Sequence, residues 1–476
     1  MKVEPNWKQI AQVFRQTLGH DRLVERKEEL LVYECDGLTS YRQRPALVVL
    51  PRSTAEVAAA VKLCNQFQVP FVTRGSGTGL SGGALPLADS VLIVTTLMNK
   101  ILEVDLANQR MVVQPGVINT NVTQAVTEAG YFYAPDPSSQ TICSIGGNLA
   151  ENSGGVHCLK YGVTANHILG MKLVLPDASI VELGSKIPEM PGYDLTGILV
   201  GSEGTLGIAT EITLRIIKNP ESIHVLLADF TSVEAAGAAV SGIISAGIIP
   251  AGMEMMDNFS INAVEDVVKT QCYPRDAAAI LLVELDGLAI EVALNSDRVS
   301  EICKANGARQ IQVATEPKDR LTLWKGRKAA FAAMGKLSPD YYVQDGVIPR
   351  TQLPRVLQEI EALSQEHGYK VANVFHAGDG NLHPLILYNN AVPGALEKVE
   401  ALGGAILKLC VQTGGSISGE HGIGSDKREY MSAMFSEADL ETMQFLRKVF
   451  DPLQLANPGK IFPTPRGCSE SRSSRV

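Results

Sequence analysis

The sequence predicts an α+β protein of two domains, and three observations carry that expectation. The chain has 476 residues, too many for one compact domain. Its composition, 45% apolar and 20% charged, supplies enough core to exclude disorder as the main state. The pattern of apolar runs also changes near Asn219-Pro220. Before it, short strands alternate with glycine-rich loops. After it, longer runs follow the order β-α-β-β-α-β, the ferredoxin-like antiparallel sheet with helices on one face. The expected division is an N-terminal helical segment over 1–40, a first unit over 41–219, a second over 220–455, and a C-terminal segment over 456–476.

In the first unit, ALVVLP (46–51) reads as a strand, and Ser53 with Glu56 as a capping box opening the next helix. VPFVTR (69–74) and SVLIVTTL (90–97) are further strands. Residues 101–116 and 172–183 read as hairpins turning at Ala107-Asn108 and Pro176-Asp177. In the second unit, HVLLADF, IIPAGMEMM, AAAILLVELDG and RQIQVATE are strands, with helices over 231–246 and 290–305. Ala235 to Met253 carries no charge and is long enough for a membrane candidate. Pro250 interrupts it and Thr231 with Glu234 forms a capping box before it, so it reads as a buried helix followed by a strand. Residues 396–450 are mostly helical around a glycine-rich loop at 414–424, and the polar tail after Pro465 reads as frayed.

The balance of 42 Lys+Arg against 51 Asp+Glu gives −9, which disfavours nucleic acid and anionic lipid as partners. The eight cysteines never form a C-x-x-C pair, so no iron–sulfur or zinc-ribbon site is legible. Scattered thiols and a start without a signal-peptide core suit the cytoplasm.

The densest glycine cluster is Thr73-Arg74-Gly75-Ser76-Gly77-Thr78-Gly79-Leu80-Ser81-Gly82-Gly83. Gly77-x-Gly79-x-x-Gly82 formally matches a dinucleotide fingerprint, yet Gly-Gly-Ala-Leu-Pro follows where a helix must begin. Alone, the loop is either a phosphate cradle of backbone N–H groups or a mobile surface loop. Two further small-residue segments, 135–155 and 201–208, favour an extended cofactor lying across the unit.

The second half holds a histidine constellation. His376-Ala-Gly-Asp-Gly-Asn-Leu-His383 lies between VANVF and PLILY and reads as strand–turn–strand. If the two histidines pair across the hairpin, their Cβ atoms lie about 4.5–5.5 Å apart, close enough to share a divalent ion. The other reading is two histidines packed at a turn. Glu420-His421 stands between glycines in GSISGEHGIG. Glu420 completes a His₂Glu set with open positions, or it is an exposed acid on a helix connection.

RGSGTGLSGG, PDPSS, SIGGN, ENSGG and GSEGTLGI resemble the vanillyl-alcohol oxidase / p-cresol methylhydroxylase (PCMH) flavoproteins. The resemblance implies a two-domain flavoprotein, with a PCMH-type FAD-binding domain before the substrate (cap) domain. It implies that Arg74, Gly75, Ser76, Gly77, Thr78 and Gly79 hold the FAD diphosphate. Pro135, Asp136, Ser138, Thr141, Ser144, Gly147, Asn148, Asn152 and Gly155 would contact the flavin and adenine ends, with Glu203, Gly204 and Ile208. The loop contains no histidine, so the FAD is expected to be non-covalent.

HAGDGNLH, GSISGEHGIG and Asn457-Pro-Gly-Lys460 are similar to a narrower group, the FAD-linked D-2-hydroxyacid dehydrogenases, the FAD-linked subunit of glycolate oxidase among them. By that resemblance His376, His383 and Glu420 bind a divalent metal, zinc by donor type, and His421 is the catalytic base. Arg327 would hold the substrate carboxylate; a solvated arginine on an amphipathic helix is the other reading. Leu385 stands where D-2-hydroxyglutarate members carry a polar residue, which implies a smaller substrate such as glycolate or D-lactate. The group implies a quinone, an electron-transfer protein, a separate iron–sulfur subunit or oxygen as acceptor, a homodimer, and a location in the cytoplasm or peripheral to a membrane. The alternatives within the same fold are a D-2-hydroxyglutarate-type dehydrogenase and a non-redox flavin-dependent transferase like alkylglycerone-phosphate synthase.

Overall fold

A short crossover gives the first unit its parallel pairing. The computed structural model describes residues 5–187, 191–269 and 271–464. Strand Leu47–Val49 leads through helix Thr54–Phe67 to Phe71–Arg74, and both strands pair parallel to Val91–Val94 between them. Leu23–Val24, from the segment expected to be helical, adds an antiparallel edge. Val91–Val94 is buried at every position, as a parallel strand covered on both faces must be. Ser53 caps the crossover helix, accepting from the Glu56 N–H at 3.2 Å. The Glu56 carboxylate turns to the Arg52 N–H at 2.8 Å, so only half of the expected box forms. Ala456 and Asn457 close the free edge: the Phe71 N–H donates to Leu455 and the Asn457 N–H to Phe71.

A five-stranded antiparallel sheet lies beside it in the order Ile101–Asp105, Arg110–Val113, Ile208–Arg215, Ile168–Val174, Ile180–Gly184. Both expected hairpins are its outer pairs. Ile208–Arg215 alternates buried and half-buried residues, the period of a strand with one face on the core.

The second unit is a seven-stranded sheet. Its order is Ala308–Ala314, Ser222–Phe230, Ala279–Gly287, Gly252–Asp257, Val371–His376, Pro384–Tyr388, Asp340–Val343. The first four reproduce the expected ferredoxin-like arrangement, antiparallel throughout. One expectation is corrected, because helices cover both faces. Leu226, Ala228 and Phe230 face helices Val233–Ser245 and Ala289–Ala305, whereas Val225 and Leu227 face Asn258–Val267 and Pro317–Leu337. Strands buried on both faces read as continuous apolar runs, so their period could not reveal the second layer. A second correction concerns Thr231 and Glu234. Ser232 is the cap of Val233–Ser245, accepting from the Ala235 N–H at 3.1 Å. The uncharged stretch is, as expected, helix then strand, and among the described residues no helix is long and apolar enough to cross a membrane. The tail after Pro465 lies outside the described residues.

Gly326 shows how tightly the helix Pro317–Leu337 is seated. A Cβ there would lie 2.2 Å from Tyr273 Cε2. The Tyr273 hydroxyl accepts from the Arg327 N–H at 3.1 Å and donates to the Leu323 carbonyl, tying the ring to the helix. Alanine normally improves a helix interior by about 1 kcal/mol over glycine. Here the clash reverses the sign, and Gly326→Ala is expected to destabilise by about 1–3 kcal/mol. Thermal unfolding checks this, and a raised midpoint would contradict the packing described.

Candidate active site

Glycine loops interlock to form a cleft in the first unit. A Cβ on Gly75 would lie 2.2 Å from Ser144 Oγ, which accepts from the Ser76 N–H at 3.2 Å. This contact seats the 75–79 loop against the start of helix Ile145–Glu151. The resulting open cleft is lined by Gly75, Ser76, Gly77, Thr78, Gly79, Ser138, Ser144, Gly147, Asn148, Glu203, Gly204 and Ile208 among the sequence-predicted residues. Thr73 Oγ1 and Asn148 Nδ2 in its wall are buried without a hydrogen-bond partner. Small side chains, open backbone and unpartnered polar atoms suit an extended dinucleotide, so the residues fit FAD.

Other predicted contacts brace the loops and do not line the cleft. Arg74 donates to the Cys35 carbonyl, and its guanidinium lies 2.2 Å from where a Gly77 Cβ would be. Pro135 O accepts from Asn119 Nδ2 at 3.0 Å, and Asn152 Oδ1 from the Ala165 N–H at 2.9 Å. Gly155, at φ +150°, packs against the Asp136 carbonyl, and Thr141 is exposed. Asp136 Oδ2 sits 2.8 Å from His157 Nδ1, while His157 Nε2 meets Glu284 Oε1 of the second unit at 2.9 Å. That histidine bridges the two units.

Glu420 and His421 also belong to the wall of the cleft. His376 ends strand Val371–His376 but opposes Asn381, so the expected His376–His383 cross-strand pair is corrected to a diagonal one. The two rings still approach to 5.0 Å between centroids. Glu420 Oε1 lies 3.2 Å from His376 Nε2 and 3.1 Å from His383 Nε2. One donor atom from each of His376, His383 and Glu420 lies within 4.8 Å of the others. His383 is buried, and neither ring nitrogen has an aligned hydrogen-bond partner. Two imidazoles and a carboxylate converging around orphaned nitrogens fit a divalent ion. His421 stacks on His383 at 5.0 Å with the rings 10° from parallel.

Electrostatics divides these groups. Burial works against charge throughout, but Glu254 and Glu420 hold the His376 imidazole well above its usual range. Conversely, His376 and His383 hold Glu420 well below the carboxylate range despite its burial. Burial pushes His383 down, and lowers His421 to about 4, which leaves His421 a neutral imidazole able to accept a proton.

Three buried residues that sequence reasoning missed hold this arrangement. Glu254 opposes His376 across the sheet and its Oε1 meets His376 Nδ1 at 2.5 Å. Its other oxygen takes Arg327 Nε at 2.8 Å and Nη2 at 2.7 Å. Arg327 is therefore buried and ion-paired, not solvated, and it does not line the cleft. Asp345 Oδ2 accepts the N–H groups of Gly419, Glu420 and His421 at 3.0, 2.8 and 2.7 Å. Its other oxygen ion-pairs with Lys427, which is also buried. From the first unit, Glu203 accepts from Ile423 and Gly424 N–H, each at 2.7 Å, and so grips the far end of the same loop. The only legible signals were one acid inside the apolar run MEMM and a lone aspartate before Gly346. Leu385 is wholly buried in the core against Val343 and Ala372, so its apolar character answers packing and carries no information on substrate size.

Comparison with known proteins follows the same two-part division. Residues 45–184 match the family model "FAD binding domain" and 219–461 "FAD linked oxidases, C-terminal domain". The chain is 51% identical over 467 residues to glycolate oxidase subunit GlcD of Escherichia coli, covering 98% of this chain and 93% of that one. It is 34% identical to D-lactate dehydrogenase of Anaerostipes hadrus, with 88% and 90% covered. Crystalline p-cresol methylhydroxylase with substrate bound superposes with a TM-score of 0.80 at 16% identity, over 96% of each chain. That likeness establishes the PCMH-type fold. With both domain models matched in order and close relatives spanning nearly its whole length, the chain belongs to the FAD-linked oxidase family.

Proposed function

We propose that the protein oxidises a small D-2-hydroxy acid, glycolate or D-lactate, to the corresponding 2-oxo acid, with FAD as electron acceptor and a divalent metal at His376, His383 and Glu420. The observation that carries it is the His₂Glu cluster beside His421, with Glu420 and His421 both in the wall of the FAD cleft. The names of the relatives, glycolate oxidase subunit and D-lactate dehydrogenase, point to the same substrates. Bound FAD supplies a two-electron acceptor, and a bound metal supplies a Lewis acid that orients the hydroxyl and carboxylate.

The protein's own groups do the rest. Neutral His421 takes the substrate hydroxyl proton at a ring nitrogen. Asp345, through the backbone of 419–421, fixes where that ring stands. Glu254 orients His376 through Nδ1, as carboxylates commonly orient metal-binding histidines. With Arg327 committed to Glu254, its reach to a substrate carboxylate is limited to the remaining edge of the guanidinium, and its role is positioning His376. Electrons leave to a quinone, an electron-transfer protein or an iron–sulfur partner.

Anaerobic mixing of the FAD-loaded protein with D- and L-hydroxy acids tests the reading; glycolate or D-lactate is expected to bleach the flavin spectrum, and no bleaching by any of them would end it. His421→Ala is expected to retain its FAD while the reduction rate drops about 10²–10⁴-fold. Unchanged reduction would remove His421 as base. Glu420→Gln is expected to lose stoichiometric metal by elemental analysis, along with most activity. If exhaustive chelation leaves the reduction rate intact, the cluster is structural.

A further inference from the structure

Glu151 is an acid of the cleft wall that takes no part in the reaction above and, unlike Glu203, does not anchor the 419–424 loop. It ends helix Ile145–Glu151, where exposed carbonyls disfavour a negative charge. Its carboxyl stands beside that of Glu203: both crowd the position a Cβ on Gly422 would take, Glu151 Oε2 at 2.0 Å and Glu203 Oε1 at 3.1 Å. Both crowd Gly83 in the same way, Glu151 Oε1 at 2.4 Å and Glu203 Oε2 at 3.4 Å. Only glycine leaves them room.

The two acids differ in partners. Burial raises the Glu203 carboxyl, but it receives two backbone N–H groups, one on each oxygen, which favour its anion. Glu151 Oε2 is buried with no hydrogen-bond partner, although the residue lines the cleft. Two adjacent carboxyls in a low-dielectric site cannot both ionise readily, and the proton belongs on the one without donors. Burial and the charge of Glu203 raise Glu151 well above the carboxylate range. Oε2 is enclosed by protein even with the cleft open, so the O–H that a neutral Glu151 carboxyl can offer to a ligand is on Oε1.

We propose that Glu151 is a hydrogen-bond donor of the cleft wall, presenting its carboxyl O–H to an acceptor atom on the ring system of FAD beside His421. This rests on FAD occupying the cleft. The donor secures the ring and stabilises its electron-rich reduced form, so Glu151 is a positioning and tuning residue beside the base.

The test uses the full chain with Glu151→Gln and Glu151→Ala. Glutamine keeps a neutral donor of the same length, so FAD affinity within about twofold of the parent is expected, with a similar flavin midpoint potential. Alanine is expected to weaken FAD binding about 3- to 10-fold and to lower the potential, as loss of one hydrogen bond would. Infrared difference spectra of flavin reduction should carry a protonated-carboxyl stretch that vanishes in Glu151→Gln. Alanine matching the parent in affinity and potential overturns the proposal. So does glutamine failing as badly as alanine, which would mean that a negative charge is needed. A parent protein that binds no FAD fails differently, since it overturns the cofactor reading as well.

Discussion

The site depends on one buried carboxylate. Asp345 gathers three consecutive N–H groups on one oxygen and the Lys427 ammonium on the other. Taking this ion pair out of water costs several kcal/mol per ion, and it is tolerable only because nearly every lone pair is used. Lys427 and the backbone donors hold the Asp345 carboxyl at about 2 against the opposing effect of burial. What the interaction achieves is direction. Three successive amides aimed at one oxygen leave the 419–421 backbone little freedom, and the side chains of Glu420 and His421 must then leave the loop toward His383 and the cleft.

That loop is also where the two units meet. Asp345 holds its beginning from the seven-stranded sheet, and Glu203 holds residues 423 and 424 from the first unit. Glu203 is itself at φ +51°, a strained conformation for a residue with a side chain, and such strain persists only where the surroundings enforce it. Asn457 adds a second clasp, donating to the carbonyls of Gly83 and Glu203. The cofactor wall and His421 thus belong to different units but share one short, doubly anchored segment. Relative motion of the units would misplace that ring before it disturbed either core, which fits anchors that are charged and buried instead of superficial.

Much of this was legible where function makes sequence unusual. Glycine clusters, paired histidines and a glycine-flanked Glu-His are rare enough to stand out, and the cleft and cluster assemble from those segments. What stayed hidden depends on pairing partners distant in the chain. Glu254 meets His376 only because their strands are neighbours, 122 residues apart in sequence. The burial of Arg327 follows from the same contact, whereas its helix viewed alone allowed a solvated side chain. Register explains the histidine offset: a turn of four residues after His376 places Asn381 opposite it, and only residue-level pairing distinguishes a direct from a diagonal neighbour. The second helical layer was invisible because a strand buried on both faces loses its period.

The pattern of unsatisfied groups argues that the site is shaped for ligands and not for its own stability. Asp345 and Glu254 have both oxygens engaged, whereas Gln344, Asp379, Asn381 and Asp426 near them keep buried polar atoms without partners. At the site itself, Nδ1 of His383 and Nδ1 of His421 are buried without a hydrogen-bond partner, and His383 Nε2 has only the Glu420 carboxylate at 3.1 Å, out of hydrogen-bond alignment. Each such group costs about 1–3 kcal/mol when left unmatched. A core selected only for folding would replace these imidazoles with apolar side chains. Part of the deficit lies at these rings, where any ligand that supplied the missing bonds would also stabilise the fold, so binding and stability are coupled there. The cost of holding such donors and acceptors in fixed positions is the preorganisation of a binding site, whose groups meet a ligand without rearrangement.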